Sequence, residues 1–293
     1  MIDEFINYLK ECKNLSDKTL YAYCVDIKQF IKIFPNYLNV DMYMYVDYLT
    51  NTLKLEVNSI RRKIISVSKF YDYLILKGII AASPFDGIDL KIKQELKQPK
   101  FLTIDEIKQL LACFEIDGST LSDFQKSQYI RDAALIDLLI STGIKVEEAA
   151  NLILDDINIK DKTIFIRGKN YRQRCIYITS FITWNRIVEL MNYQKSLGTN
   201  FLFTNRYNKQ ISVQAIEQIY TKYVKKTQIN IKSTPNDLRH TFASNLLLNG
   251  ADILDVQQIL GHSSVKSTSK YVVKENSKGF NQTMYEFNYR NNL

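Results

Sequence analysis

The sequence predicts a mainly α-helical protein with two domains, the second of which also contains a small antiparallel sheet. The first part of the chain shows only helical periodicity, a lysine-rich polar stretch follows it, and short runs typical of β-strands interrupt the helical pattern of the second part. At 293 residues the chain also exceeds the usual size of one domain. Its 46% apolar and 24% charged residues are typical of a protein with a sizeable core.

The first domain is predicted to consist of helices alone. Ser16 is a candidate N-cap, because its hydroxyl can accept from the amides of the next turn. Two apolar stripes at helical spacing predict the faces that pack into the core: Leu20, Tyr23, Cys24, Ile27 and Phe30 on one helix, and Ile60, Ile64, Val67 and Tyr71 on a later one.

A linker is predicted where Pro84 and Gly87 end the helical block and the polar run KIKQELKQPK follows at residues 91–100. Thr103 and Glu106 then form a capping-box pattern, in which each side chain bonds the other's backbone amide at the start of a helix. The predicted organisation is a helical domain at residues 1–88, a linker at 89–101 and a second domain at 102–293.

The second domain is predicted to switch from helix to strand and back. Residues 156–160, 163–167 and 174–178 are short β-rich runs separated by turn-forming segments, and they predict a small antiparallel sheet. From Ser180 onward the pattern is helical again. The predicted helix starts are Ser212 and Thr234, and the predicted stops are Gly250 and Gly261.

Composition constrains the partner and the compartment. The net charge of +8 and the pI near 9.1 favour a polyanionic partner, because lysines and arginines that face phosphates release condensed counterions. The scattered cysteines form no C-x-x-C pair and predict core thiols in a reducing compartment without structural disulfides: Cys12, Cys24, Cys113 and Cys175. Neither a secretory signal nor a membrane-spanning run is visible, so the predicted location is the cytoplasm.

A basic trio, Arg61, Arg62 and Lys63, lies beside the second apolar stripe. Two interpretations fit it: a solvated helix face, or a helix that contacts DNA phosphates. The trio itself does not decide between them, and the second interpretation makes all three residues candidate DNA contacts.

The C-terminal part of the chain concentrates residues that can carry chemistry. The run LGHSSVKST at residues 260–268 contains His262 and is followed by Tyr271, while Arg239 and His240 lie upstream. These blocks resemble those of the tyrosine site-specific recombinases, the family of the Xer proteins and phage integrases. The resemblance begins at an L-S-x-x-T-L-x-x-Y segment, residues 15–23, and spans nearly the whole chain. It implies an all-α, SAM-like core-binding domain and an α+β catalytic domain of the DNA breaking-rejoining fold.

By this resemblance Tyr271 is the candidate nucleophile. In-line attack of a phenol on a phosphodiester develops charge on the phosphate oxygens and on the leaving 5′ oxygen, so the site needs cations and a proton donor. Arg239 matches the family's second phosphate-binding arginine, and a guanidinium suits two phosphate oxygens. Asn236 stands where the family most often has histidine. Asparagine can bind phosphate but cannot exchange a proton near neutral pH, so its predicted role is binding alone.

The turn between the second and third predicted strands, residues 168–171, resembles the family's G-K-G-N hairpin, whose lysine protonates the leaving 5′ oxygen. Lys169 is the matching position. A lysine at a hairpin tip is usually only solvated, so this role depends on the neighbouring motifs. Arg172 and Arg174 follow in the same segment and are predicted phosphate contacts.

One block departs from the family pattern. Residues 141–152 resemble the T-G-L-R-V-S-E-L block, with Lys145 in place of the first catalytic arginine. Lysine keeps the charge but loses the planar fork, and loss of one well-placed donor can cost on the order of 10²–10³ in rate. The substitution implies a slowed or an inactive enzyme. Glu148 matches the family's glutamate in this helix and is predicted to hold the site cations in place.

The two histidines receive different predictions. His262 matches the family's third conserved site residue, whereas His240 is predicted to be a supporting, structural histidine. A zinc site is disfavoured, because two histidines and scattered cysteines offer no ligand spacing. The resemblance implies catalysis without a cofactor or a divalent metal.

The function implied by the resemblance is cutting and rejoining of duplex DNA through a 3′-phosphotyrosyl intermediate, in integration, excision, inversion or dimer resolution. Protomers that are monomeric when free would assemble as a homo-tetramer or hetero-tetramer on DNA. Residues 274–293 would form a tail that docks on a neighbour or packs on its own chain. Two alternatives stay open: a recombinase-like DNA-binding regulator without cleavage activity, which Lys145 and Asn236 favour, and a relaxing activity like that of a type IB topoisomerase.

Overall fold

The computed structural model describes residues 1–13, 15–87, 99–115, 122–168, 173–227, 233–269 and 271. The chain divides into two units, Met1–Lys97 and Gln98–Leu293. Over the described residues the architecture is mainly helical with one three-stranded antiparallel sheet, as predicted. No helix in this part of the chain is long and apolar enough to cross a membrane.

The first unit is helical throughout its described elements. They are α1 (Ile2–Lys13), α2 (Asp17–Ile33), α3 (Met42–Asp47), a π-helical turn (Tyr48–Thr52) and α4 (Val57–Leu76). Ser16 caps α2 as predicted, since its hydroxyl accepts from the Thr19 amide at 3.3 Å. The two predicted stripes supply much of the core through these buried residues: Leu20, Tyr23, Ile27, Phe30, Ile60, Val67 and Tyr71.

The end of this helical block differs from the prediction. Helix α4 ends at Leu76, well before Pro84, and Gly78 follows with a left-handed φ of +68°. Glycine lacks the Cβ that makes this conformation unfavourable for other residues. The residue that stops the helix is therefore Gly78 and not Pro84 or Gly87.

The second unit surrounds the long helix α6, whose second half is buried along nearly its whole length. Its helices are α5 (Ile104–Ala112), α6 (Asp123–Thr142), α7 (Val146–Ala150), α8 (Phe181–Ser196), α9 (Val213–Lys226), α10 (Pro235–Leu248), α11 (Ile253–Leu260) and α12 (Val265–Ser269). A 3₁₀ turn at Leu154–Asp156 leads into the strands β1 (Ile157–Asn158), β2 (Thr163–Ile166) and β3 (Arg174–Tyr177).

The three strands lie in the order β1-β2-β3, and both neighbouring pairs are antiparallel. Ile164 of β2 lies opposite Ile176 of β3, and both are buried, which fixes the register of the sheet against the core. Strand β1 is shorter than predicted because residues 159–162 form the turn into β2.

Helix ends in the second unit follow the predicted signals. Thr103 and Glu106 form the capping box: the Thr103 amide donates to the glutamate at 2.7 Å, and the Glu106 amide donates to the threonine at 3.2 Å. Ser212 and Thr234 precede α9 and α10. Gly261 ends α11 with a left-handed φ of +65°.

The prediction that the cysteines are core thiols is wrong. Cys12 and Cys175 are exposed, Cys24 and Cys113 are partly buried, and all four are free. Cys175 lies on β3, where alternate side chains point to solvent, and a thiol is small enough to be tolerated there.

Gly143, which ends α6, offers a test of how tightly this region is packed. Its φ is +58°, and an added Cβ would lie 2.5 Å from the Phe242 ring. We expect Gly143→Ala to destabilise the protein by about 1–3 kcal/mol beyond the cost of the left-handed backbone, because overpacking adds to it. The measurement is the free energy of unfolding from denaturant titration.

Gly198→Ala is the matched control, since Gly198 has a φ of +68° but open space where a Cβ would lie. It should show the backbone cost alone. Equal losses in the two variants would contradict the close contact with Phe242.

Candidate active site

Tyr271 is buried in the second unit, and its ring contacts two imidazoles. Its hydroxyl is 3.0 Å from Nδ1 of His240, which lies on α10. The ring centroid is 5.2 Å from that of His240 and 6.0 Å from that of His262, with the His262 ring nearly parallel to the phenol. Tyr271 itself is 1% exposed. The structure thus brings together three residues that the sequence singled out.

Arg239 is buried next to this phenol and is held by two helix ends. Its Nη1 donates to the Gly143 carbonyl at 2.6 Å, and its Nη2 donates to the Leu260 carbonyl at 2.7 Å. These carbonyls belong to the C-terminal ends of α6 and α11, where the helix dipole places partial negative charge. The fold therefore fixes a cation, 4% exposed, beside the candidate nucleophile.

The surroundings of Tyr271 shift its pKa in opposite directions. Burial raises the pKa of the phenol, while the charge of Arg239 and a hydrogen bond from its guanidinium lower it, and the net effect is a raised pKa. The phenol is therefore protonated at neutral pH, and a group that accepts its proton is needed before the oxygen attacks.

Glu148 and Arg174 form a buried, two-pronged ion pair. Nη1 and Nη2 of Arg174 each donate to one carboxylate oxygen at 2.9 Å, and Nε donates to the Ile259 carbonyl at 2.6 Å. Both side chains are 9% exposed. Burial raises the pKa of Glu148, but the hydrogen bonds and charge of Arg174 and the Lys145 amide outweigh it and leave the pKa below its usual value.

This placement argues against the predicted phosphate contact by Arg174. Its guanidinium is directed into the protein and joins β3 to α7 and to the end of α11. A Cβ at Gly261 would lie 2.9 Å from Nη1, so a larger residue there would make the guanidinium shift. Arg174 thus holds the Glu148 carboxylate in place. Glu148 itself was predicted to hold the site cations in place.

Lys145 lies at the N-terminus of α7, at the edge of this group of charges. Its amide donates to Glu148 at 2.9 Å, but its Nζ is 4.0 Å from the same carboxylate and its side chain is 44% exposed. Burial lowers the pKa of Lys145, Glu148 opposes this, and the charges of Arg239 and Arg174 lower it further, so the net shift is downward. The Lys145 side chain is thus partly exposed to solvent, whereas Arg239 and Arg174 are largely buried in the protein.

The remaining candidates of this unit occupy different surroundings. Nδ1 of His262 is 2.9 Å from the hydroxyl of the buried Thr268, which fixes the imidazole against the Tyr271 ring. Asn236 is exposed in the first turn of α10, one helical turn before His240. Lys169 and Arg172 lie outside the described residues.

The basic trio of the first unit divides into different environments. Lys63 is buried, and its Nζ lies 2.9 Å from Asp26 Oδ1 and 2.5 Å from Gln29 Oε1. Arg62 also pairs with Asp26, although 43% of the Arg62 side chain is exposed. Arg61 is exposed on the same helix. The expectation of three outward cations is therefore wrong for Lys63, because Asp26, 1% exposed, needs a buried partner.

Sequence profiles of known families match both units. The profile of the phage integrase family matches residues 100–278, and the profile of the phage integrase N-terminal SAM-like domain matches residues 2–78. The chain belongs to the phage integrase family of tyrosine recombinases. The resemblance inferred from the sequence motifs is thereby confirmed.

Curated members of the family align along nearly their full length with this chain. A tyrosine recombinase of Agathobacter rectalis is 32% identical over 278 residues, which are 92% of this chain and 90% of that protein. Tyrosine recombinase XerC of Listeria monocytogenes serotype 4a is 34% identical over 292 residues, 94% of each chain. The relationship therefore includes both units.

Solved structures of tyrosine recombinases share the fold of this family member. A XerH recombinase bound to a palindromic difH substrate, in a post-cleavage complex, has a TM-score of 0.74 at 20% identity, covering 92% of this chain and 80% of that one. A lambda integrase tetramer bound to a Holliday junction has a TM-score of 0.69 at 15% identity, covering 94% and 78%.

The sequence did not reveal several groups that position the residues around Tyr271 in this recombinase. The carbonyls of Gly143 and Leu260 leave no signature in side-chain patterns, although the glycines at 143 and 261 mark the helix ends that supply them. Thr268 lies within the LGHSSVKST run, but its bond to His262 depends on how α12 packs. The contribution of these groups to the site can be recognised only from the three-dimensional structure.

The Glu148–Arg174 pair predicts a pH-dependent contribution to stability. Glu148→Gln leaves a buried guanidinium without its carboxylate, so we expect it to lower the free energy of unfolding at neutral pH by about 3–5 kcal/mol. Because the folded-state pKa of Glu148 is depressed, this contribution is present above its ordinary pKa of about 4.3 and is lost as pH falls through the folded-state pKa. Denaturant titrations of both proteins at several pH values measure the difference.

Glu147→Gln provides the control, as it makes the same change on an exposed position of α7. It should change stability by less than about 0.5 kcal/mol. A Glu148→Gln effect that stays constant into acid would show that the carboxylate charge is not what stabilises this region.

Proposed function

We propose that this chain is a site-specific DNA recombinase that cuts and rejoins duplex DNA through a 3′-phosphotyrosyl intermediate. The observation that carries the proposal is the Tyr271 hydroxyl held beside Arg239 and 3.0 Å from His240 in a member of the tyrosine recombinase family. A tyrosine that only filled space in the core would not need a buried guanidinium, fixed at two helix ends, beside its hydroxyl.

The chemistry proposed for the pocket is in-line displacement at phosphorus. Tyr271 attacks the scissile phosphate, and the cations of Arg239 and Lys145 stabilise the charge that develops on the non-bridging oxygens. His262 and Asn236 donate hydrogen bonds to the same phosphate. The energy of the broken bond is retained in the phosphotyrosine, so the proposed reaction needs no ATP, cofactor or divalent metal.

Departure of the 5′ oxygen requires a proton. By its match to the family's hairpin lysine, Lys169 is the proposed donor, and it falls in sequence between the paired strands β2 and β3. Arg172, three residues later in the sequence, and the exposed Arg61 and Arg62 of α4 are proposed contacts to the DNA backbone, in keeping with the net charge of +8.

The proposed partner is a duplex DNA site, on which protomers assemble. The structural neighbours support this: one is a recombinase in a post-cleavage complex with its substrate, and another is a tetramer on a Holliday junction. Four protomers of this chain, or of this chain and a related recombinase, would act on two sites. The cytoplasm is the proposed location, consistent with four free cysteines.

A nicked suicide duplex, whose short fragment diffuses away after cleavage, tests the proposal directly. We expect covalent protein–DNA adducts with the unaltered protein and none with Tyr271→Phe, because only the phenolic oxygen can form the bond. Denaturing gel electrophoresis of labelled DNA measures the adduct.

Tyr207→Phe is the matched control, since Tyr207 is 65% exposed and its hydroxyl contacts only the neighbouring Arg206 among the bonds described. It should form adducts at the normal rate. Specific binding of duplex DNA without any adduct from the unaltered protein would favour the DNA-binding regulator instead.

Lys145 predicts a rate gain on substitution by arginine. Lys145→Arg restores a planar fork of donors, so we expect single-turnover cleavage to rise by up to about 10²-fold. The gain should widen at alkaline pH, because lysine with a lowered pKa loses its charge there while arginine stays protonated. Rates of adduct formation measured from neutral to alkaline pH provide the test.

A cleavage rate that Lys145→Arg leaves unchanged or lowers would remove Lys145 from the phosphate-binding group. Lys145→Gln controls for the charge, because it keeps a donor but is neutral, so it should lower the rate most at neutral pH and least where the lysine has itself lost its proton.

A further inference from the structure

We infer that His240 is the general base that takes the proton from Tyr271 during DNA cleavage. The inference rests on the proposed function and adds a catalytic role to a histidine that its sequence context presented as structural. Its starting point is the contact between His240 Nδ1 and the Tyr271 hydroxyl at 3.0 Å, within the range of a proton-transfer hydrogen bond.

The inferred role sets the direction of this hydrogen bond. Arginine has only donors, so the Arg239 guanidinium that bonds to the Tyr271 oxygen occupies one lone pair of that oxygen. The phenolic hydrogen remains available to His240 Nδ1. In the inferred arrangement Nδ1 is the unprotonated nitrogen of a neutral imidazole, with the proton on Nε2, which is the form that can act as a base.

Other described groups near the phenol are less suited to accept this proton. His262 presents the face of its ring to the Tyr271 ring, and its Nδ1 is occupied by Thr268. Asn236, one turn earlier on α10, cannot take up a proton near neutral pH. The helix therefore carries a proton acceptor at position 240, four residues beyond the asparagine.

Helix α10 also keeps the base and the phosphate-binding cation in register. Arg239 and His240 are adjacent, and both contact the phenol. The Thr234 amide donates to Asp237 at 2.7 Å, and Pro235 occupies the first helical position, so the start of the helix is well fixed.

The proposed step conserves every atom and charge. As the Tyr271 oxygen bonds to phosphorus, its O–H bond breaks and the proton moves to His240 Nδ1, giving an imidazolium. The bond from phosphorus to the 5′ oxygen breaks, and that oxygen takes a proton from Lys169, the donor proposed above. On rejoining, the 5′ oxygen bonds to phosphorus and gives its proton to Lys169, while the bond from phosphorus to the Tyr271 oxygen breaks and that oxygen takes the proton back from His240.

Among the residues that the structure describes, the titratable and charged groups near the imidazole include the phenol of Tyr271, the guanidinium of the adjacent Arg239 and, across the phenol, the imidazole of His262. Glu148 and Arg174 neutralise each other within the same unit.

Single-turnover cleavage of the nicked suicide duplex by the full-length protein tests the inference. His240→Gln keeps a hydrogen-bond acceptor near the phenol but cannot take up its proton, so adduct formation should slow by about 10²–10⁴-fold. The unaltered protein should lose rate on the acid side as the imidazole is protonated, and this limb should be absent in His240→Gln.

His240→Ala with added imidazole distinguishes a general base from a residue that only positions the phenol. Free imidazole should restore part of the cleavage rate in proportion to its unprotonated fraction, which a purely structural role for the side chain would not produce. Melting temperatures of both variants close to that of the unaltered protein exclude misfolding as the cause of the slow reaction.

The outcomes are distinguishable. If the unaltered protein and His240→Gln form adducts equally fast with the same pH profile, the inference fails and the proposed function stands. A slow His240→Ala beside a normal His240→Gln, or no rescue by imidazole, also overturns the base role and leaves a positioning role. No adduct from the unaltered protein removes the proposed function and the inference together.

Discussion

The catalytic unit depends on one buried cation, the guanidinium of Arg239. Removing a charge from water costs several kcal/mol unless hydrogen bonds and opposite charge replace the lost solvation. Here the Gly143 and Leu260 carbonyls replace it at 2.6 and 2.7 Å, and both lie at helix ends that carry partial negative charge. Because the guanidinium also hydrogen-bonds to the Tyr271 phenol, the bonds that keep the cation inside also hold it beside that hydroxyl.

A second arginine keeps the surrounding framework in place. Arg174 joins β3 to Glu148 and to the Ile259 carbonyl, and Glu148 in turn accepts from the amide of Lys145. The backbone conformation at position 145 therefore depends on the hydrogen bond to Glu148 and not on which side chain residue 145 carries. Lysine in place of the family's arginine alters the shape and the titration of the side chain at position 145, while the elements that position it are retained.

The sequence predicts the elements well where the signal is local. The capping box at Thr103, the N-cap Ser16 and the antiparallel sheet all depend on residues close in sequence, and the structure confirms them. Lys63 and Arg174 were misjudged because a basic residue next to other basic residues carries no sign of a buried partner 26 to 37 positions away. The contact between His240 and Tyr271 could not be predicted from local sequence either, because it depends on how α10 packs against the segment that follows α12.

The pocket draws its parts from widely separated stretches of the polypeptide. The carbonyl of Gly143, the strand residue Arg174, Arg239 on α10 and the carbonyl of Leu260 must all meet before Tyr271 has its surroundings. Synthesis on the ribosome delivers these parts in order, with Tyr271 the last of them. A half-made or misfolded chain therefore carries the phenol without the imidazole and the guanidinium beside it, so the environment of Tyr271 exists only in a fully folded protein.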